Sequence, residues 1–187
     1  MPSTRDALID AAADLLTGGG PAAVTLREVG RRAGVSHNAP YKHFADKEEL
    51  LAAVAARDLE RRAAATRRAA RSRSPSEALR TMLHGYARHA ARDPELFRLT
   101  YGSWHDGSAE LGAAATAARA AFVDVVVAAQ RDGSLPSGDP ERLAALLLAL
   151  VHGATDLALS GHLARRGKGN ADPADLVDDL LAHLGAR

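Results

Sequence analysis

Apolar positions recur at helical spacing through the first sixty residues and are punctuated by capping residues. Ser3 followed by Asp6 has the form of a helix start, a hydroxyl able to cap and an acid at the positive end. Leu8, Ala12, Leu15 and Leu16 continue that helix, and Gly18-Gly19-Gly20-Pro21 is expected to stop it. Thr25 and Glu28 form a T-x-x-E capping box ahead of the apolar stripe Leu26, Val29 and Ala33, with Gly34 closing the helix. Ser36 is the next cap, which predicts a short third helix from His37 to about Phe44. Asp46 and Glu49 then open a fourth, continued by Leu50, Leu51, Val54 and Leu59.

Beyond residue 60 the pattern changes. Glu60 to Arg73 is mostly Ala and Arg without a large apolar residue, and Ser72 to Ser76 marks a break. Helices are expected at about 76–92, 94–103, 109–132, 140–163 and 173–184, and Pro94, Asp139-Pro140 and Asp172-Pro173 fit the proline-in-first-turn signature. Their apolar faces are broad enough to bury into one bundle. The chain therefore divides into a head, residues 1–55, and a helical body, residues 56–187.

Composition agrees with an all-α fold. Ala, Leu and Arg are strong helix formers, and β-branched residues are thin. A chain of 187 residues buries roughly 70% of its unfolded surface and needs no covalent staples. The absence of cysteine excludes disulfides, thiolate metal sites and thiol nucleophiles. The N-terminal residues are polar and lack the apolar stretch of a signal peptide, and the most apolar run, Leu143 to Val151, is far short of the ~20 residues of a membrane helix. A cytoplasmic bacterial protein with no membrane partner is expected.

Charge changes the picture only when read locally. The whole chain carries 24 basic and 23 acidic residues, a formal +1, which argues weakly against a nucleic-acid partner. Yet Arg27 to Lys47 holds five cations (27, 31, 32, 42 and 47) against Glu28 and Asp46, with His37 and His43 in addition. Asp172, Asp175, Asp178 and Asp179 offset this in the last helix. Net charge speaks of solubility, the local pattern of a partner.

The stretch Val24 to Lys47, VTLREVGRRAGVSHNAPYKHFADK, carries the candidate chemistry. Two short helices joined by a glycine turn make a helix-turn-helix, its second helix expected to enter the major groove of DNA. Val35, Pro40 and Phe44 are expected to face inward, and His37, Asn38, Ala39, Lys42 and His43 outward. Asn38 can pair two edges of adenine, His37 can donate to guanine or phosphate, and Ala39 can touch a thymine methyl. Tyr41, His43 and Lys47 suit phosphate anchoring, which fixes register without reading sequence. Thr25 and Ser36 cap the two helices, and the backbone N–H groups at the first of these starts can also meet a phosphate.

This segment resembles the DNA-binding head of the TetR family of bacterial regulators. Its signature is matched at Thr25, Val29, Ala33-Gly34-Val35-Ser36, Tyr41, His43-Phe44, Lys47 and Leu50. Gly30 stands where the family usually has alanine, and Pro40 where it has leucine or isoleucine. Pro40 forfeits only the first backbone bond of its helix, to the Ser36 carbonyl. The head resemblance covers roughly residues 4–55 and implies that Arg5 and Arg27 lie near the DNA backbone. His152-Gly153 is similar to part of a Trp-His-Gly motif that names one C-terminal type, with Val151 in place of the tryptophan.

The resemblance further implies a body that binds an unknown small-molecule effector, and a homodimer whose last two helices pair across a two-fold axis. Leu143, Leu146, Leu147, Leu150, Val151 and Leu157, with Leu176, Leu180, Leu181 and Leu184, supply the stripes for that interface. Tyr86, Phe97, Tyr101, Trp104 and Phe122, interleaved with His89, His105, His152 and Asp156, are candidates for an apolar pocket with a few polar groups. Each of them also fits ordinary core packing. His152 and Asp156 share a helical face at i, i+4, a spacing that suits a metal, but a hydrogen-bonded pair is the simpler reading; no metal or cofactor is expected. The arginines between 57 and 73 read as a solvated face rather than a phosphate track.

An enzyme finds no support, for the chain has no G-x-S-x-G elbow, no G-x-x-x-x-G-K-[ST] loop and no H-E-x-x-H. The expectation is a dimeric one-component regulator binding operator double-stranded DNA at a palindrome, a repressor released by its effector. The alternative, a constitutive architectural DNA binder or an activator without effector, needs only the head, whereas about 130 residues are devoted to the body.

Overall fold

The computed structural model describes residues 3–104 and 108–185. Eight α-helices follow in order: α1 (Thr4–Ala23), α2 (Leu26–Arg32), α3 (Lys47–Ser72), α4 (Pro75–Arg92), α5 (Pro94–Tyr101), α6 (Ala109–Arg131), α7 (Pro140–Leu159) and α8 (Pro173–Gly185). A 3₁₀ turn, Pro40–Lys42, lies between α2 and α3. Among the described residues the extended pairing is confined to one bridge, Ala164 to Gly169, so the all-α expectation holds.

Most elements begin where their caps place them. Ser3 and Asp6 close a complete capping box, the Ser3 hydroxyl accepting from the Asp6 N–H at 3.1 Å while the Asp6 carboxylate accepts from the Ser3 N–H at 3.2 Å. Thr25 and Glu28 close half of theirs. Thr25 accepts from the Glu28 N–H at 3.2 Å, but the Glu28 carboxylate turns to Arg31. Asp46 accepts from the Glu49 N–H at 2.9 Å, and Glu49 reaches back to the Ala45 N–H at 2.6 Å.

The endings differ from expectation for identifiable reasons. The glycine run does not stop α1: only Gly20 leaves the helix, at φ 66°, and one further turn forms from Pro21. Glycine keeps its N–H and weakens a helix without blocking it. The Ala- and Arg-rich stretch after Glu60 stays helical as part of α3, because both residues are good helix formers even without large apolar neighbours. α7 ends at Leu159 rather than 163 in a Schellman motif, with Gly161 at φ 74°, its N–H on the Ala158 carbonyl and the His162 N–H on the Leu157 carbonyl at 2.7 Å. The third helix is the main correction. His37 to Phe44 forms turns and a 3₁₀ segment instead of an α-helix, since Pro40 removes the N–H an α-helix would need there.

Packing gathers the chain into two compact units. The first comprises Met1–Glu60 with Asp93–Thr116, the second Arg61–Arg92 with Ala117–Arg187. Within the first unit α5 packs on α1 of the head. In the first unit Leu8, Ile9, Leu16, Val24, Val29, Phe44 and Leu50 form the core, with Leu96, Leu99 and Trp104 packed against it. Arg57, 19% exposed, bridges α3 to α1 through Asp6 at 2.6 Å and Asp10 at 2.7 Å. In the second unit α4 packs on α7 and α8, and α7 on α8. By length and composition α6 and α7 could each cross a membrane, which the short run Leu143 to Val151 did not suggest. Only 33% and 28% of their apolar windows are buried, so α7 in particular keeps an uncovered apolar face.

Candidate nucleic-acid interface

α2, the Gly34 turn and the segment Ser36 to Phe44 build the candidate surface. Gly34 sits at φ 70°, a left-handed conformation that glycine adopts without cost. The chain reverses there, with the Val35 N–H on the Gly30 carbonyl at 3.1 Å. Pro40 and Phe44 are buried, and Val35 packs against the core, as their inward placement requires. Their burial turns His37, Asn38, Tyr41, Lys42 and His43 to solvent, while Ala39 is half-buried. Tyr41 is 54% exposed, one of the few large apolar side chains left uncovered. Its ring stands edge-on to His37, centroids 6.0 Å apart.

The cations divide into engaged and free. Arg31 is held by Glu28, which lowers the Glu28 carboxyl below its ordinary 4.5 and raises the Arg31 guanidinium. Arg32 pairs with Asp14 at 3.3 Å. The Lys47 ammonium, expected to anchor a phosphate, donates to the Pro21 carbonyl and so ties the start of α3 to the last turn of α1. Arg5 lies over the Phe44 ring at 5.3 Å and pairs with Glu110. Arg27 and Lys42 are exposed and form no ion pair among the described residues. They are the cations left to meet a polyanion without first breaking an internal contact.

The candidate pocket residues do not come together as one group. Phe97, Tyr101 and Trp104 belong to the first unit, the Phe97 and Tyr101 rings tilted 48° to each other with centroids 5.1 Å apart. Trp104 borders a shallow cavity of about 350 Å³ lined also by Lys47, Glu48, Leu51, Leu99 and Ser103. His105 lies outside the described residues. Tyr86, His89, Phe122 and His152 belong to the second unit, where the Tyr86 hydroxyl bonds His152 Nδ1 at 2.7 Å. Asp156 is exposed, and among the described residues no cluster of His, Asp or Glu could hold a metal. Thr155 lies outside the set the sequence suggests. It is buried one helical turn beyond His152, and its Oγ1 has no hydrogen-bond partner among the described residues. Its spacing of three from His152 is the signal that could have found it.

The leucines expected at a dimer interface also separate. Leu147 is buried in the core of its own unit, and Leu176 packs against Ala154, Leu163 and Ala171. Leu146 is 67% and Leu157 47% exposed, while Leu143, Leu150, Leu180, Leu181 and Leu184 are half-buried. Positions 143, 146, 150 and 157 fall on one α7 face at near-heptad spacing.

Two family descriptions match the chain: "Bacterial regulatory proteins, tetR family" over residues 8–54, and "Tetracyclin repressor-like, C-terminal domain" over residues 79–184. An HTH-type transcriptional repressor of Mycobacterium tuberculosis is 31% identical over 96 residues, 49% of each protein. The chain thus spans about half the length of the curated relatives it matches. A protein of unknown function from Rhodococcus sp. RHA1 superposes with a TM-score of 0.82 at 30% identity, over 100% of this chain and 95% of that one. The fatty acid degradation regulator FadR of Bacillus halodurans shares the fold, with a TM-score of 0.75 at 16% identity over 98% and 95% of the two chains.

Proposed function

Because the chain belongs to the TetR family of bacterial regulatory proteins, we propose that it is a dimeric, one-component transcription repressor that reads DNA with the segment Ser36 to Lys47. The observation that carries this reading is the sorting of that segment: Pro40 and Phe44 buried, and His37, Asn38, Tyr41, Lys42 and His43 presented together to solvent. Asn38 reads a base edge, His37 donates to a guanine or a phosphate, and Ala39 meets a thymine methyl. Tyr41, Lys42, His43 and Arg27 fix the head on the phosphates. Similarity over half its length to a mycobacterial transcriptional repressor supports repression over activation.

The uncovered leucines of α7, with Leu180, Leu181 and Leu184 of α8, are covered by a second copy of the chain, which places two heads on one palindromic operator. The effector enters the second unit, a reading supported by its Tyr86–His152 hydrogen bond, its buried Thr155 hydroxyl and its buried Phe122. It releases DNA by favouring a head spacing that no longer fits, which requires a higher affinity for that state.

The direct test is selection of bound duplexes from a randomised pool by the full chain. A near-palindromic consensus is expected, and a bound fraction no different from the starting pool would refute sequence reading. A thermal-shift screen tests the effector: a ligand at 100 times its Kd stabilises by about 2.7 kcal/mol.

A further inference from the structure

The two positions at which the helix-turn-helix departs from its family's pattern touch each other. Pro40 is buried against α2, and a Cβ built on Gly30 would stand 2.9 Å from Pro40 Cγ and 3.4 Å from its Cδ. Gly30 lies inside α2 without a positive φ, so no left-handed backbone calls for glycine there. Alanine is the better helix former. The space taken by the pyrrolidine ring is what alanine would contest.

Pro40 also sets the pitch of the presenting segment. Lacking an N–H, it cannot bond the Ser36 carbonyl, which instead accepts from the Ala39 N–H at 2.9 Å. The next two closures are also three residues apart, Lys42 N–H to the Ala39 carbonyl at 3.2 Å and His43 N–H to the Pro40 carbonyl at 3.0 Å, before Phe44 N–H returns to a four-residue closure on that same Pro40 carbonyl at 3.0 Å. In a 3₁₀ turn side chains three apart eclipse. Ala39 then shares an edge with Lys42, and Pro40 with His43, while Tyr41 stands edge-on to His37, four residues back. An α pitch would instead bring Asn38 towards Lys42 and Ala39 towards His43.

We propose that Pro40, seated on Gly30, is a specificity-determining positioning pair that holds the Pro40–Lys42 turn of the DNA-reading segment in 3₁₀ pitch and so fixes which side chains meet neighbouring base pairs together. This rests on the DNA-reading assignment above. Gly30 admits the ring, the ring selects the pitch, and the pitch selects the contacts.

The test uses the full chain and three variants: Gly30→Ala, Pro40→Ala and the double variant. Each undergoes selection from the same randomised duplex pool and thermal unfolding. The wild type is expected to enrich one consensus and Pro40→Ala a consensus altered within each half-site. Gly30→Ala is expected to weaken binding to the wild-type consensus roughly tenfold, within the coupling range of contacting residues. In the Pro40→Ala chain the same change is expected to cost little binding and to raise Tm, whereas it lowers Tm beside Pro40. Identical consensus sequences from wild type and Pro40→Ala would overturn the pitch assignment. Equal effects of Gly30→Ala in both backgrounds would overturn the pairing. A wild-type chain that enriches nothing would instead refute DNA reading itself, and this inference with it.

Discussion

Asn38 offers the one exposed carboxamide of the presenting segment, a donor and an acceptor on a short side chain. Asn38→Ala is expected to relax base preference at one operator position by roughly 1–3 kcal/mol, and an unchanged selected consensus would remove it from the reading set. Lys42 and Lys47 separate two roles that one charge can serve. Lys42 is exposed without an internal ion pair, so Lys42→Ala is expected to weaken all DNA sequences alike and flatten the salt slope by about 0.9. Lys47 also closes the Pro21 carbonyl, so Lys47→Ala is expected to lower Tm where Lys42→Ala does not; equal Tm values would discount that closure. Acid sensitivity follows from individual carboxylates. Hydrogen bonds from Ser3 hold Asp6 below its ordinary 3.8, Arg31 holds Glu28 below 4.5, Ser74 holds Glu77 below 4.5, and Arg165 holds Asp175 below 3.8. Each is lower in the folded state, so its stabilisation is complete above the ordinary value and is lost as pH falls through the folded one. These four groups are expected to leave Tm flat from neutral pH to about pH 5 and to lower it below pH 4.5; a fall beginning near pH 6 would contradict their role.

Among the elements, α3 shows how far caps determine starts. Asp46 accepts from the Glu49 N–H and the Glu49 carboxylate from the Ala45 N–H where it opens, and Asp46→Ala is expected to cost about 1 kcal/mol. For a chain of this size that is a Tm loss of roughly 2–4 °C, measurable by circular dichroism; no loss would mean that packing alone fixes the start. Starts were legible in the sequence because a cap is local: Ser3, Thr25, Asp46 and Asp139 each bond a residue two or three positions on. Ends and pitch were less so. The Schellman closure at Gly161 needs a left-handed glycine that nothing separates from other loop glycines before folding. The 3₁₀ turn turned on one missing N–H at Pro40 together with space beside Gly30, a contact across ten residues of chain. The outward set His37, Asn38, Lys42 and His43 was legible regardless, because burial of Pro40 and Phe44 decides it at either pitch. The pocket candidates were not, since aromatic and histidine positions carry no mark of which unit they join. Trp104 packs on the head core while Tyr86 and His152 bond each other in the second unit.

At the scale of the whole molecule, an apolar helix face without cover needs a partner. Leu146 and Leu157 stand exposed on α7, a helix apolar enough to invite a lipid reading, and the head requires a two-fold mate to recognise a palindrome. Sedimentation is expected to give a species of about 39 kDa, twice the 19.6 kDa chain, and Leu146→Glu to shift it towards monomer. A wild-type monomer at micromolar concentration would refute the pairing. The near-neutral total charge fits this arrangement, with cations concentrated between Arg27 and Lys47 and acids on α8. The most direct test of the account is a hydroxyl-radical footprint of the full chain on its selected duplex. Two protected clusters on one face of the DNA are expected, centred about 10–10.5 base pairs apart or a multiple of that, with Asn38→Ala blurring the selected base within each. A single cluster, or uniform protection along the duplex, would contradict a dimer reading two successive major grooves.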